Sequence, residues 1–275
     1  MTIATLMVHI DGTRSNTQVL DVAGWLAERL DAGVIGIAAC QPIQLDPSAG
    51  VYSAELIDAE RDIVATDLKV LQTEFEGPNS KCGRRIEWRC ATTLEPIAEY
   101  VADQARSADL IITAVSKKAL LDDARCADTG ALLMGSGRPV LIVPEFTPKP
   151  WFDRVVIAWK DTREARRAIA DALPLLKIAS KIIVVEVADG NTMEEARLRV
   201  EDVVAWLKRH GLAAMAAVTP RNGDDSKSLA TFASLNGAEL LVAGAYGHGP
   251  VREWAFGGMT RDLLLHEDRM VLLSH

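Results

Sequence analysis

The stretch RVVIAWKDTREARRAIADALPLL, residues 154–176, decides the fold. After Arg154 its next five residues are an apolar run of strand length that ends at Lys160-Asp161. Apolar residues at three- and four-residue spacing follow, the period of an amphipathic helix, interrupted near its end by Pro174. A strand that feeds directly into a helix is the opening of a parallel βαβ unit. The same order stands near the N-terminus. TLMVHI (5–10) is followed by Asp11 and then by the helical NTQVLDVAGWLAERL (16–30).

Working outward, each half alternates strands and helices in one order. In the first half, strands are expected at GVIGIAA (33–39), RRIEWRCA (84–91), ADLIITAV (108–115) and RPVLIVP (138–144). Helices are expected at SAELIDAERDIVATDLKVLQTEFE (53–76), stopped by Gly77-Pro78, at LEPIAEYVADQARS (94–107) and at TGALLMGS (129–136). In the second half, strands fall at SKIIVVEVA (180–188), LAAMAAVTP (212–220), AELLVAGA (238–245) and RMVLLSH (269–275). Helices fall at TMEEARLRVEDVVAWLKRH (192–210), DDSKSLATFASLNG (224–237) and TRDLLLHE (260–267).

Several landmarks superpose: IDGTRSN (10–16) on KDTREAR (160–166), ADLIIT (108–113) on AELLVA (238–243), and RPVLIVP on RMVLLSH. Such self-similarity marks a duplicated unit. The prolines of PEFTPKP (144–150) mark the join. The expected organisation is a domain over 1–144, a linker over 145–150 and a domain over 151–275, each α/β with a doubly wound parallel sheet.

The composition, 49% hydrophobic and 25% charged with net charge −8, is that of a globular protein. Acidic and basic residues are interspersed, so no basic tract points to nucleic acid or an anionic membrane. No apolar run has the length of a bilayer span. MTIATLMVHIDG has no signal-peptide pattern, and a cytoplasmic location is expected. Cysteines 40, 82, 90 and 126 show no C-x-x-C spacing and no histidine cluster. Reduced, mostly buried thiols and no metal site are expected.

The chemistry concentrates in GAYGHGPVREWAFGGMT (244–260), between a strand and a helix. Ligands of open parallel sheets bind beyond the carboxyl ends of strands, where strand order reverses. Gly257-Gly258 before a helix would leave free N–H groups at its positive end, a site for phosphate, with Thr260 as a further donor or cap. The alternative is a glycine-rich turn that binds nothing. G-x-x-x-x-G-K-[ST] is absent, and GHGPVR lacks the third glycine of G-x-G-x-x-G. MGSGRP (134–139) is not a nucleophile elbow. His248, Arg252 and Glu253 read as solvated loop residues, and His9 as packed rather than catalytic.

Gly244-x-x-Gly247, nine residues and then Gly257 resembles the G-x-x-G-x9-G-[ST] signature of the universal stress protein family. The resemblance extends over both halves, through AWKDTREARRAIADALPLL, NGDDSKSLATFASLNGAELLVAGAYGHG and PVLIVP. It implies five parallel strands per domain in the order 3-2-1-4-5. It also implies that the last strands of the two halves pair, as a tandem pseudo-dimer within one chain; further association into a homodimer is left open. It further implies an adenine nucleotide, ATP, bound in the second domain as a regulatory ligand. Carried over residue by residue, Trp159 and Asp161 would flank the nucleoside and Val187 would face the adenine. Gly244, Gly247, Gly257, Gly258 and Thr260 would take the phosphates. Mg²⁺ would accompany them through Asp161 or water. No residue is placed as a base, so slow ATP hydrolysis at most is expected, and adenylyl transfer is disfavoured by WKDTRE after the first strand.

Two departures bear on this. Gly258 stands where the signature has Ser or Thr, and Trp159 is bulky, either stacking on a base or filling its space. In the first half AVSKKALLDDARCADTG (114–130) replaces the glycine loop, with Ser116, Lys117 and Lys118 in it. One competent site, in the second half, is therefore expected. The rival reading is an interaction module of the same fold that binds no nucleotide.

Overall fold

The computed structural model describes residues 2–42, 54–79, 85–115, 127–146, 149–245 and 269–275. They form two compact units, Ala4–Ser136 and Gly137–His275, the latter with Met1–Ile3.

The first unit holds β1 (Thr5–His9), α1 (Thr17–Leu30), β2 (Gly33–Cys40), α2 (Ala54–Asn79), β3 (Ile86–Thr92), α3 (Ile97–Gln104), β4 (Leu110–Ala114) and α4 (Thr129–Ser136). Its strands run parallel in the order β3-β2-β1-β4. The second holds β5 (Val140–Val143), β6 (Arg154–Trp159), α5 (Arg163–Leu176), β7 (Lys181–Ala188), α6 (Met193–Arg209), β8 (Ala214–Pro220), α7 (Asp225–Leu235), β9 (Leu240–Gly244) and β10 (Met270–Ser274). Here the order is β5-β10-β9-β6-β7-β8. All pairs are parallel except β5 with β10, where Val140 faces Leu273 and Ile142 faces Val271.

The doubly wound α/β architecture is the one expected. The order β8-β7-β6-β9-β10 is 3-2-1-4-5 in full, and β3-β2-β1-β4 is its first four members. The two closing strands pair antiparallel with each other. The compact division falls before β5, because β5 is joined to β10. Right-handed crossovers put α1 and α2 on one face of the first sheet and α3 and α4 on the other, in line with the contacts α1 makes with α2 and α3 with α4.

The central strands are buried along their length, as suits sheets covered on both faces, while β3 and β8 are half-exposed edges. Gly36 in β2 is a packing glycine: a Cβ there would lie 2.7 Å from the Phe75 ring of α2. Phe75 is fully buried and stacks on Trp88 of β3, ring centroids 5.5 Å apart.

One expected helix stop and one expected interruption are overrun. α2 continues through Gly77-Pro78 to Asn79, and α5 continues through Pro174 to Leu176. An interior proline costs about 3 kcal/mol. Leu175 and Leu176 are both fully buried, and each such side chain contributes about 1.5–3 kcal/mol, so packing offsets the lost hydrogen bond.

The duplicated acid of ADLIIT and AELLVA has one job in both units. Asp109 Oδ2 accepts hydrogen bonds from the backbone N–H of Ala4 (2.8 Å) and Thr5 (3.0 Å), at the start of β1. Glu239 Oε2 accepts from Asp153 (2.6 Å) and Arg154 (3.1 Å), at the start of β6. Each carboxylate staples the beginning of the first strand to the fourth.

Among the described residues Cys40 is half-buried and Cys90 is exposed, so these two thiols are not the buried ones expected. Cys82 and Cys126 lie outside the described residues. No described helix is long and apolar enough to cross a membrane.

Candidate switch-point site

In both units strand order reverses beside the first strand. β6 has β7 on one side and β9 on the other, and β1 has β2 and β4. Pairing of β6 with β9 ends at Ile157 with Val242, and pairing of β1 with β4 ends at Val8 with Ile112. Beyond those points the strand ends are no longer joined, which is where ligands of doubly wound sheets bind.

In the second unit β6 delivers Trp159, Lys160 and Asp161 to this point. Thr162 then caps α5, its hydroxyl accepting from the Ala165 N–H at 3.3 Å. Asp161 is exposed and paired with Arg166 of the first helical turns. Trp159 is half-buried, and its Nε1 is enclosed with no hydrogen-bond partner among the described residues. It sits in register with Glu186 of β7. Glu186 is buried and gripped by Arg199 of α6, which donates through Nε (3.1 Å to each oxygen) and Nη2 (2.6 Å). Val187, half-buried, is the next residue along the strand, so the pleat turns it to the opposite face from Glu186.

Gly244 closes β9 and is required by the fold. A Cβ there would lie 2.5 Å from Ala165 N and from the Glu164 carbonyl carbon. The end of β9 thus packs on the backbone of the first turn of α5. Trp159, Asp161 and Gly244 are brought to one sheet end. Gly247, Gly257, Gly258 and Thr260, with His248, Arg252 and Glu253, lie outside the described residues, as does the expected helix at 260–267.

The first unit is arranged differently at the same point. Asp11 is buried at 4% exposure. Its Oδ1 accepts from Thr13 N (2.8 Å) and Thr13 Oγ1 (2.7 Å), and its Oδ2 pairs with Arg14 Nη2 at 3.0 Å. The same Nη2 donates to the Ala114 carbonyl, 2.5 Å away, at the end of β4. Arg14 therefore spans the gap between the first and fourth strands that a ligand would otherwise bridge. Burial pushes the Asp11 carboxyl up, but His9, Arg14 and the Thr13 hydrogen bonds outweigh it and hold it below the usual carboxylate range. Asn16 locks the turn, its Oδ1 accepting from the Asp11 N–H (2.8 Å) and its Nδ2 donating to Glu74 (3.0 Å). His9 is buried with Nδ1 3.1 Å from Thr113 Oγ1, and burial lowers its pKa to about 4. Ser116, Lys117 and Lys118 lie outside the described residues.

Sequence reasoning singled out Asp11 and Asp161 but missed the partners that make them unlike. The signal was present: IDGTRSN superposed on KDTREAR places Arg14 opposite Glu164. A cation three residues after the aspartate can fold back onto it, and a glutamate cannot. Glu186 and Arg199 gave no comparable signal, since their pairing joins a strand to the middle of the following helix.

No protein-family model matches the chain, and no curated protein matches it either. Among solved structures, a universal stress protein from Archaeoglobus fulgidus DSM 4304 is similar over 98% of this chain and 95% of its own, with a TM-score of 0.73 and 16% identity. A protein of unknown function from Pseudomonas aeruginosa PAO1 is similar over 99% of this chain and 92% of its own, with a TM-score of 0.63 and 17% identity. At such identities the likeness is one of fold: over nearly its whole length this chain has the tandem fold of a universal stress protein.

Proposed function

We propose that this chain is a stress-response protein of the universal stress type that binds one adenine nucleotide, ATP, in its second half as a regulatory ligand. One observation carries the reading. The two switch points differ in availability: Asp11 is sealed under Arg14, whereas Asp161 stands exposed at the parting of β6 and β9. The described residues fit a nucleoside in that respect. An exposed carboxylate at a strand end accepts hydrogen bonds from ribose hydroxyls, with Arg166 releasing it or turning to an anion. Gly247, Gly257, Gly258 and Thr260 would hold the phosphates by their sequence pattern, and Mg²⁺ would come with the phosphates. Gly244 serves through packing that sets where the following loop begins. Val187 and Trp159 are the candidate base contacts, from opposite faces of the sheet end.

Mass spectrometry of small molecules released from the purified protein, with calorimetry against ATP, tests this. One equivalent per chain is expected, and Asp161→Asn is expected to weaken binding about ten- to a hundred-fold, the loss of one charged hydrogen bond of about 1.5–3 kcal/mol. No released nucleotide together with no binding at millimolar ATP refutes the reading, as do two equivalent sites per chain.

A second reading, an interaction module of the same fold without nucleotide, is favoured by the enclosed Trp159 Nε1 and the Glu186–Arg199 pair beside it. It requires Gly257→Val to leave ligand content and partner binding unchanged.

A further inference from the structure

The outer strands of the two units, β3 and β8, are protected unequally. β3 carries Glu87 and Arg89, joined at 2.7 Å, and Arg89 is tied on to Gln104 and Ser107. Charge of that kind keeps other strands from adding to an edge. β8, AMAAVTP, has no charged residue. Among the described residues it pairs with β7 alone, and none of its residues is buried. Met215 is 48% exposed. Pro220 has no N–H to give, which confines further pairing to Ala214–Thr219.

Charge stands instead on the helix beside this edge. α6 packs over β7 and β8. Its Arg199 reaches in to Glu186 and so marks the flank turned to β7. The opposite flank, half a turn round at 3.6 residues per turn, holds Glu194, Arg197, Glu201, Val204 and Lys208, over the outer edge of β8. Arg197 and Glu201 are joined at 2.8 Å, while Glu194 and Lys208 are not ion-paired among the described residues. An acid at the start of a helix and a base at its end also suit the helix dipole, so the two ends alone name no partner. The whole flank does, because it is its own complement. Beside an antiparallel copy of itself, Glu194 meets Lys208 at both ends, and the neutralised Arg197–Glu201 couple meets its like at the centre. A parallel copy would set Glu194 against Glu194. Strand and helix keep step over this distance: seven strand residues span about 23 Å and seventeen helical ones about 26 Å. Around a two-fold axis at Ala217, Met215 falls opposite Thr219 and Ala216 opposite Val218, with no like charges facing.

We propose that β8 and the outer flank of α6 form a homodimer surface. A second copy of this chain adds its own β8 antiparallel, and Glu194 of each copy lies against Lys208 of the other. The surface is independent of the nucleotide reading, since the switch point lies between β6 and β9, on the far side of β7.

The test is sedimentation velocity of the full chain without nucleotide, joined to hydrogen exchange. One strand edge and one helix flank make a small interface, so a dissociation constant of about 10–200 µM is expected. Exchange at Ala214–Thr219 should slow as chain concentration rises. Met215→Lys puts a charge on the edge at an exposed position and is expected to weaken the dimer at least about ten-fold. Glu194→Lys alone or Lys208→Glu alone turns two attractive contacts into repulsive ones and is expected to weaken it about five- to thirty-fold. An equimolar mixture of those two variants should restore dimers, because each then meets its opposite at both contacts. If Met215→Lys does not fold by circular dichroism, the two helix variants, altered only at exposed positions, carry the test. The proposal is overturned if the parent chain is monomeric at about 500 µM, a concentration above that range. It is equally overturned if the dimer slows exchange at another surface and not at β8, or if the mixed charge variants associate no better than either alone.

Discussion

At the scale of single residues, Gly244 separates two meanings of a motif glycine. In sequence it opens a phosphate loop; in the structure its missing side chain admits the α5 backbone. Gly244→Ala is therefore expected to destabilise the protein by about 1–3 kcal/mol in urea denaturation, the cost of overpacking, with no ligand present. A variant as stable as the parent would mean that the glycine serves only a ligand. His9 gives a second residue-level expectation. Its folded pKa of about 4 lies below the 6.5 of an exposed imidazole. Above pH 6.5 neither state is protonated there. As pH falls from 6.5 to 4 the unfolded chain takes up a proton that the folded chain refuses, so stability falls, by about 3 kcal/mol in all at 1.36 kcal/mol per unit. His9→Gln should flatten that limb of the stability–pH curve. An unchanged slope would place the titration elsewhere.

At the scale of elements, the paired staples of Asp109 and Glu239 show why an acid recurs before each fourth strand. Asp109→Ala or Glu239→Ala removes two charge-assisted hydrogen bonds to the start of a strand. Allowing for solvent around both carboxylates, each is expected to cost about 1–2 kcal/mol. Hydrogen exchange should quicken first at Thr5 or Arg154; exchange unchanged at those amides counts against the staple. Element by element, the strands and helices were legible because period and burial agree, as in β7 and α6. Helix ends were not. Pro174 breaks a local rule, and the burial of Leu175 and Leu176 overrides it through contacts far away in sequence. The site was legible in part for the same reason. The aspartates recur at matched positions, whereas the closure of one by Arg14 depends on a strand about a hundred residues on.

At the scale of the whole molecule, β10 holds the second unit together as the common neighbour of β5 and β9. A chain ending at residue 268 would leave two apolar strands with unpaired edges. It is expected to aggregate or to lose cooperative unfolding, while the full chain melts normally. A soluble truncated chain with a sharp melting transition would show that β10 is dispensable.

The same pairing sets a clock during synthesis. β5 leaves the ribosome about 130 residues before its partner β10. At about 5–20 residues per second the exposed edge waits roughly 6 to 26 s for the last segment of the chain. Through that interval a nascent chain carries an apolar strand that a neighbouring nascent chain could adopt. Crowded polysomes, rather than the finished protein, are where this fold is most open to mispairing.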